Sequence, residues 1–229
     1  MKIHRFLFLI IPVFPCIFLL ICHFYVVTEN SLSQTAGRTS VIKEEAPRVA
    51  LTFDDGPNAR YTPLLLDGLR KRNIHATFFL LGENIPENEK LLLRMQEDGH
   101  LIGCHTWSHV QLDKISPSNA SREILKTNSL IYHITGTYPT CLRPPYGAWK
   151  KDLELPVTML PVFWDVDTLD WQSQNPESIL DIVRQNVQDG SIILMHDSYD
   201  SSVRAALAIT DELTEKGYDF VTADQLLDP

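Results

Sequence analysis

The chain has no cluster of Lys or Arg able to neutralise a phosphate backbone. Its 20 basic residues are outnumbered by 29 acidic ones, for a formal net charge of -9. Nucleic-acid binding is therefore excluded as a function class. Cysteine is equally scarce. Of the four present, Cys16 and Cys22 fall inside an apolar run, where a thiol behaves as a small hydrophobe, so a disulfide-stapled scaffold is excluded too. Cys104 and Cys141 stand beside polar motifs on candidate strands. Spacing alone does not establish a bond between them, and two separate thiols are expected. There is no internal repeat and no low-complexity tract. The 229 residues allow one domain of ordinary size, or a barrel-like α/β domain near its lower limit.

What the chain does have begins at its N-terminus. Lys2 and Arg5 precede a nearly unbroken apolar run from Phe6 to Val27, interrupted by Pro12, Pro15 and His23. A run of this length can span a bilayer as a helix, and the h-region of a cleaved signal is usually shorter. With positive charge before it, residues 1–27 read as a single-pass anchor with the N-terminus inside and the rest of the chain extracellular. A cleaved signal peptide and a secreted product are the competing reading, although the cleavage candidate Ser31-Leu32-Ser33 is weak. Lipidation at Cys22 is disfavoured by bulky Ile21. Residues 28–47 are polar and aperiodic, as in a linker, leaving 48–229 as the folded domain.

From Arg48 onward, short strand-like runs alternate with helical patterns. Strands are predicted at Val49–Phe53, Ala76–Leu81, Leu101–Cys104, Pro139–Leu142, Pro161–Val166, Ser191–Met195 and Asp219–Thr222. Helices are predicted at Thr62–Arg72, Glu87–Asp98, Pro117–Thr135, Pro176–Gln188 and Ser202–Lys216, with Pro at several starts and Gly after several ends. Repeated β then α implies parallel strands covered by helices, in a barrel or a doubly wound sheet. Function is then expected at the C-terminal strand ends.

The polar residues concentrate there. Asp54 and Asp55 follow the first strand, His105 and His109 the third, Arg143 the fourth, Asp167 and Asp170 the fifth, His196 and Asp197 the sixth. Adjacent carboxylates repel in a pocket unless one binds a cation and the other is left as a base. The four-residue spacing of His105 and His109 brings two imidazoles to one side of a helical turn. Together with one carboxylate they suit Zn²⁺ with an open position, and also Fe²⁺, Co²⁺ or Mn²⁺. His75, His100 and His133 are read as packing or surface residues. In Arg143-Pro144-Pro145-Tyr146-Gly147, paired prolines fix an extended loop and the arginine can grip a carboxylate. His196 ends an apolar strand and can serve as a general acid beside a carboxylate. Taken singly, each segment also has a plain structural reading as a turn, a loop or packing.

In order and spacing the five segments resemble the polysaccharide deacetylases, carbohydrate esterase family 4. The resemblance runs from Arg48 to about Leu227, and within the family it is strongest to peptidoglycan N-acetylglucosamine deacetylases of Gram-positive bacteria. It implies a distorted (β/α) barrel of about seven parallel strands, and a metal held by Asp55, His105 and His109. It further implies Asp54 as general base tuned by Arg143, the Tyr146 backbone N–H as an oxyanion donor, and His196 as general acid paired with Asp170. Trp171 and Leu194 would wall the pocket for the acetyl methyl. One departure is Cys104, before His105, where relatives commonly carry Asn. It is read as a bystander that could nonetheless make the protein sensitive to thiol reagents.

The expected reaction is hydrolytic removal of acetyl from N-acetylglucosamine in cell-wall glycan by a monomer. Chitooligosaccharide, an exopolysaccharide and acetyl-xylan are alternative substrates. A non-catalytic glycan-binding protein on a decayed enzyme fold, and a hydrolase of small cyclic amides, are alternatives of other kinds. A rim of Trp107, Trp164 and Trp171 suits stacking on sugar faces.

Overall fold

A computed structural model describes residues 45–149 and 157–227. The candidate anchor at 1–27, and the linker as far as residue 44, lie outside these residues. Among the described residues no helix is long and apolar enough to cross a membrane.

Among the described residues there are eight strands: β1 (Arg48–Asp54), β2 (Thr77–Leu80), β3 (Leu101–Cys104), β4 (Cys141–Leu142), β5 (Leu160–Pro161), β6 (Val166–Asp167), β7 (Ser191–His196) and β8 (Asp219–Phe220). Seven follow the path β5-β4-β3-β2-β1-β7-β6, and β8 joins β1 off that path. Every ladder is parallel. The predicted Pro161–Val166 strand therefore divides. Its two ends pair with β4 and β7 at opposite ends of the path, and no ladder closes β5 on β6 among the described residues. The expected distorted barrel thus has an open seam. Pro161 at one edge lacks an N–H for a ladder there, as edge prolines do.

The helices are α1 (Thr62–Arg72), α2 (Glu89–Glu97), α3 (Pro117–Thr135), α4 (Asp170–Ser173), α5 (Pro176–Asn186), α6 (Asp200–Glu215) and α7 (Ala223–Leu227). α3 shows why its ends were legible. The Ser116 side chain accepts from Asn119 N–H, Pro117 opens the first turn, and Gly136 closes it at φ 72°; only glycine takes that conformation without steric cost.

Alternation along the strands decides what reaches the site. On β1, Val49, Leu51 and Phe53 join Leu65, Leu66, Leu69 and Ile209 in the helix-facing core. On β7, Ile193 and Met195 do the same. Burying each such side chain contributes about 1.5–3 kcal/mol, which fixes the register, because a one-residue slip would invert both faces. The intervening residues point inward: Ala50, Phe79, Cys141, Val162 and Ile192 form a second cluster. Continuing the same rows upward delivers Thr52 and Asp54 from β1, and Leu194 and His196 from β7. Asp54 and His196 are register partners in the β1–β7 ladder.

Candidate metal centre and acid/base site

Asp54 is almost completely buried beside Arg143, which is wholly buried. One Arg143 terminal nitrogen donates to Asp54 Oδ1 at 2.9 Å and to Thr52 Oγ1 at 2.7 Å. The other donates to the Phe163 carbonyl at 3.1 Å, and Nε donates to the Val162 carbonyl at 3.3 Å. The guanidinium lies over the Phe79 ring, 4.2 Å from its centroid. Burial pulls the Arg143 guanidinium down and Asp54 pushes it back up; an arginine in this position keeps its charge. The pair spans the open seam, because Val162 and Phe163 lie between β5 and β6.

Asp55 follows with φ 68°, turning its carboxylate away from Asp54 and out of the strand row. Oδ1 of Asp55 is buried without a hydrogen-bond partner. It lies 3.5 Å from His105 Nε2 and 3.5 Å from His109 Nε2. The Nδ1 of His105 is 2.7 Å from the Arg143 carbonyl, which can only accept, so that nitrogen carries the proton. Burial, opposed by Asp54 and Asp55, lowers the His105 pKa, favouring a neutral ring with its Nε2 lone pair directed at Asp55. An orphaned carboxylate oxygen facing an imidazole lone pair needs a cation between them. The three ligand atoms lie within 4.8 Å of one another, and two imidazoles with one carboxylate are a donor set for a divalent ion with open positions. These residues fit a metal.

The paired histidines do not sit on a helical turn as expected. Residues 105–111 are non-helical, with Thr106 at φ 69° and His109 at φ 55°. What shapes the loop is Glu123 on α3, whose Oε2 accepts from Trp107 N–H, Ser108 N–H and the Ser108 hydroxyl. Carbonyls 106 and 107 accept from Gly82 and Glu83 N–H. Sequence reasoning missed Glu123, and no local signal marks it, since its partners lie 15 and 16 residues away. Trp107 does not join the expected aromatic rim: its ring packs where a Gly82 Cβ would stand, and Lys126 covers it at 3.3 Å.

On the β7 side, His196 Nδ1 is 2.8 Å from Asp170 Oδ1. Asp170 is fully buried and also accepts from His196 N–H, Ser202 Oγ and Trp171 N–H. Burial alone would lower the His196 pKa. The Asp170 hydrogen bond and charge, with Asp54 and Asp55 behind them, outweigh it and push it up to about 9. Nε2 of His196 faces the metal cluster, 3.9 Å from Asp55 Oδ2.

These groups open into one cleft of about 540 Å³ lined by Asp54, Asp55, His105, His109, Tyr146, Trp164, Asp167, Trp171, Leu194, His196 and Tyr199. Arg143 and Asp170 stand behind it. Tyr199, three residues beyond His196, was not foreseen. Asp197 departs from the rim expectation. It is fully buried, bonded to the Thr62 hydroxyl and packed so close to Gly56 that a Cβ there would stand 2.7 Å from its Oδ1; burial pushes its pKa up to about 7. Cys104 and Cys141 are buried and not joined in a disulfide. Burial pushes the Cys104 thiol up to about 12, and a buried thiol held in that form is inert, so the anticipated sensitivity to thiol reagents at Cys104 is corrected. His100 is a packing residue as read: its Nδ1 accepts from Ala76 N–H.

The chain is similar to known proteins in sequence and fold. The Polysaccharide deacetylase family profile matches residues 42–160, more than half of the chain. The chain is 41% identical over 179 residues to the peptidoglycan-N-acetylglucosamine deacetylase PgdA of Listeria monocytogenes, covering 78% of this chain and 38% of that protein. It is 43% identical over 178 residues to the peptidoglycan-N-acetylmuramic acid deacetylase PdaC of Bacillus subtilis, with the same coverage. It thus spans about two fifths of the length of these relatives. The solved structure of the Bacillus subtilis deacetylase PdaC superimposes with a TM-score of 0.77 at 42% identity, covering 80% of this chain and 91% of that one. The chain belongs to the polysaccharide deacetylase family.

Proposed function

We propose that the protein removes acetyl groups from N-acetylglucosamine residues of peptidoglycan by metal-dependent hydrolysis. The observation that carries this reading is the convergence on one cleft of a metal-ligand set, an arginine-held carboxylate and an imidazole favoured in its protonated form. Asp55, His105 and His109 would hold the ion, for which Zn²⁺ is proposed, with Co²⁺, Mn²⁺ and Fe²⁺ as alternatives to be tested. When bound, the ion would supply Lewis-acid polarisation of the acetamide carbonyl and promote ionisation of the attacking water.

Asp54 takes the proton from that water. Arg143 sets its positive charge against Asp54 and fixes the direction of its free oxygen. The Tyr146 N–H donates to the oxygen that becomes negative as the carbonyl carbon turns tetrahedral. His196 then protonates the departing sugar nitrogen, because an amine leaves readily only with that proton in place. Asp170 holds His196 charged and oriented. Leu194 and Trp171 enclose the acetyl methyl and keep bulk water from it.

The substrate assignment draws on the relatives' names. A second reading, deacetylation of N-acetylmuramic acid, is favoured by the similarity to the Bacillus subtilis protein. We further propose that residues 1–27 anchor a monomer in the cell membrane with this domain outside, close to the wall. The deciding experiment is acetate release by the full chain from purified peptidoglycan, against chitin oligomers and acetyl-xylan, after chelation and re-addition of single metals. Mass analysis of the released muropeptides identifies the sugar. Release from acetyl-xylan alone would overturn the peptidoglycan assignment, and activity unaffected by chelation would overturn the metal.

A further inference from the structure

The two histidines of the metal cluster are held in different ways. Each turns Nε2 toward Asp55 Oδ1, at 3.5 Å in both cases. Behind His105 the orienting partner is a main-chain carbonyl, that of Arg143. Behind His109 it is a side chain: the Tyr146 hydroxyl lies 3.1 Å from His109 Nδ1, and the two rings meet edge to face with centroids 4.6 Å apart. Both partners belong to one five-residue segment, Arg143 to Gly147, stiffened between them by Pro144 and Pro145.

Tyr146 adopts φ 60°, a left-handed conformation that is strained for a residue with a Cβ. It is also 68% exposed, so burial of its ring does little to offset that strain. The hydroxyl is therefore the part of this side chain with a specific partner, and that partner is a ligand nitrogen's own ring. A ligating imidazole whose remote N–H is bonded is fixed in tautomer and in ring plane, and becomes a stronger donor.

We propose that the Tyr146 hydroxyl is a positioning group for the metal: it accepts the Nδ1 proton of His109 and so commits Nε2 to the ion. Combined with the Arg143 carbonyl, the Arg-Pro-Pro-Tyr segment then orients both ligating imidazoles, while its arginine side chain separately holds Asp54. This inference rests on the proposed metal site at Asp55, His105 and His109.

The test is metal binding by the full chain, with Zn²⁺ and Co²⁺ as probes, titrated against a chromophoric chelator. Tyr146→Phe, which keeps the ring and loses only the hydroxyl, should weaken both ions about tenfold, at the lower end of what loss of such a partner costs. The visible absorption of bound Co²⁺ should shift in position or intensity, which a purely structural role for the ring would not produce. His105→Ala serves as the control for the underlying site. If His105→Ala keeps full metal affinity, the metal site itself is wrong. If His105→Ala loses the metal while Tyr146→Phe binds as tightly as the parent with an unchanged Co²⁺ spectrum, the site stands and the hydroxyl has no such role. Weakening by Tyr146→Ala alone, with Phe unaffected, would likewise assign the effect to ring packing and overturn the proposal.

Discussion

Asp54 ends β1 and His196 ends β7, and the two are partners across the same ladder, yet the ion pairs they form divide the work in opposite ways. At the β1 end the carboxylate faces the cleft and the cation, Arg143, is sealed behind it with three other contacts to oxygen and two to rings. At the β7 end the cation faces the cleft and the carboxylate, Asp170, is sealed behind it with three further donors. In each pair the sealed member is richly hydrogen-bonded and the cleft-facing member keeps one face free. Two adjacent strands thus present a carboxylate backed by a buried positive charge and an imidazole held protonated by a buried negative one. In the proposed reaction, environment and not residue type alone would make one the base and the other the acid.

Exchanging the cleft-facing member on the proposed base side should do the most damage. Asp54→Asn is expected to lower turnover by about 10³-fold or more, with Zn²⁺ content measured by metal analysis unchanged, since Asp54 is outside the ligand set. Retained turnover would remove the base from β1. Removing the sealed member on the same side acts on the fold as well: Arg143→Met strands Asp54 in the interior, and thermal or denaturant unfolding should register a loss of about 3–5 kcal/mol.

On the acid side the sealed member is expected to matter less. Asp170→Asn should reduce kcat by about 10²-fold. It should also move the alkaline limb of the pH profile to lower pH, because the imidazole loses the partner that raised it. The limb itself sharpens the comparison. His196 is protonated below about 9, so activity should fall as pH rises through that value. An ion held by Asp55, His105 and His109 would offset the nearby carboxylates and draw the limb below that value. Activity climbing steadily to high pH would mean that His196 is not the acid. The smallest effect is expected away from both pairs: Cys104→Ser should leave the rate unchanged with or without thiol reagents, as read by acetate release.

Both ends of the β1–β7 ladder could be anticipated because six or seven residues of alternation give an unambiguous face. α1 and α3 were legible to the residue for a similar reason, since proline and a basic last turn or a glycine cap mark their ends. β4, β5 and β6 have two residues each, too few to show a period, and the division of Pro161–Val166 followed from that. The histidine loop misled differently. A spacing of four fits a helical turn, but it equally fits a loop bent by left-handed Thr106 and His109, and nothing in Thr-Trp-Ser announces that bend. Partners were the least legible part of the site. Arg143 could be matched to Asp54 through family resemblance, whereas Glu123 under the histidine loop and Thr62 under Asp197 are set by tertiary contacts with no sequence pattern.

Arg143 also carries information about the order of events during folding. Its guanidinium reaches Thr52 and Asp54 across 91 and 89 residues of sequence, and Val162 and Phe163 across only 19 and 20. Joining the distant pair demands closure of a long loop, whose entropic cost precedes any reward from the contact. The charge cannot leave water until β1, β4 and the seam have met around it. A chain lacking that last convergence could already possess its helices and most of its core and still have no working base. Recovery of activity during refolding should therefore coincide with the late fluorescence change of Trp164, which packs beside the same guanidinium, and not with the earlier return of helical signal.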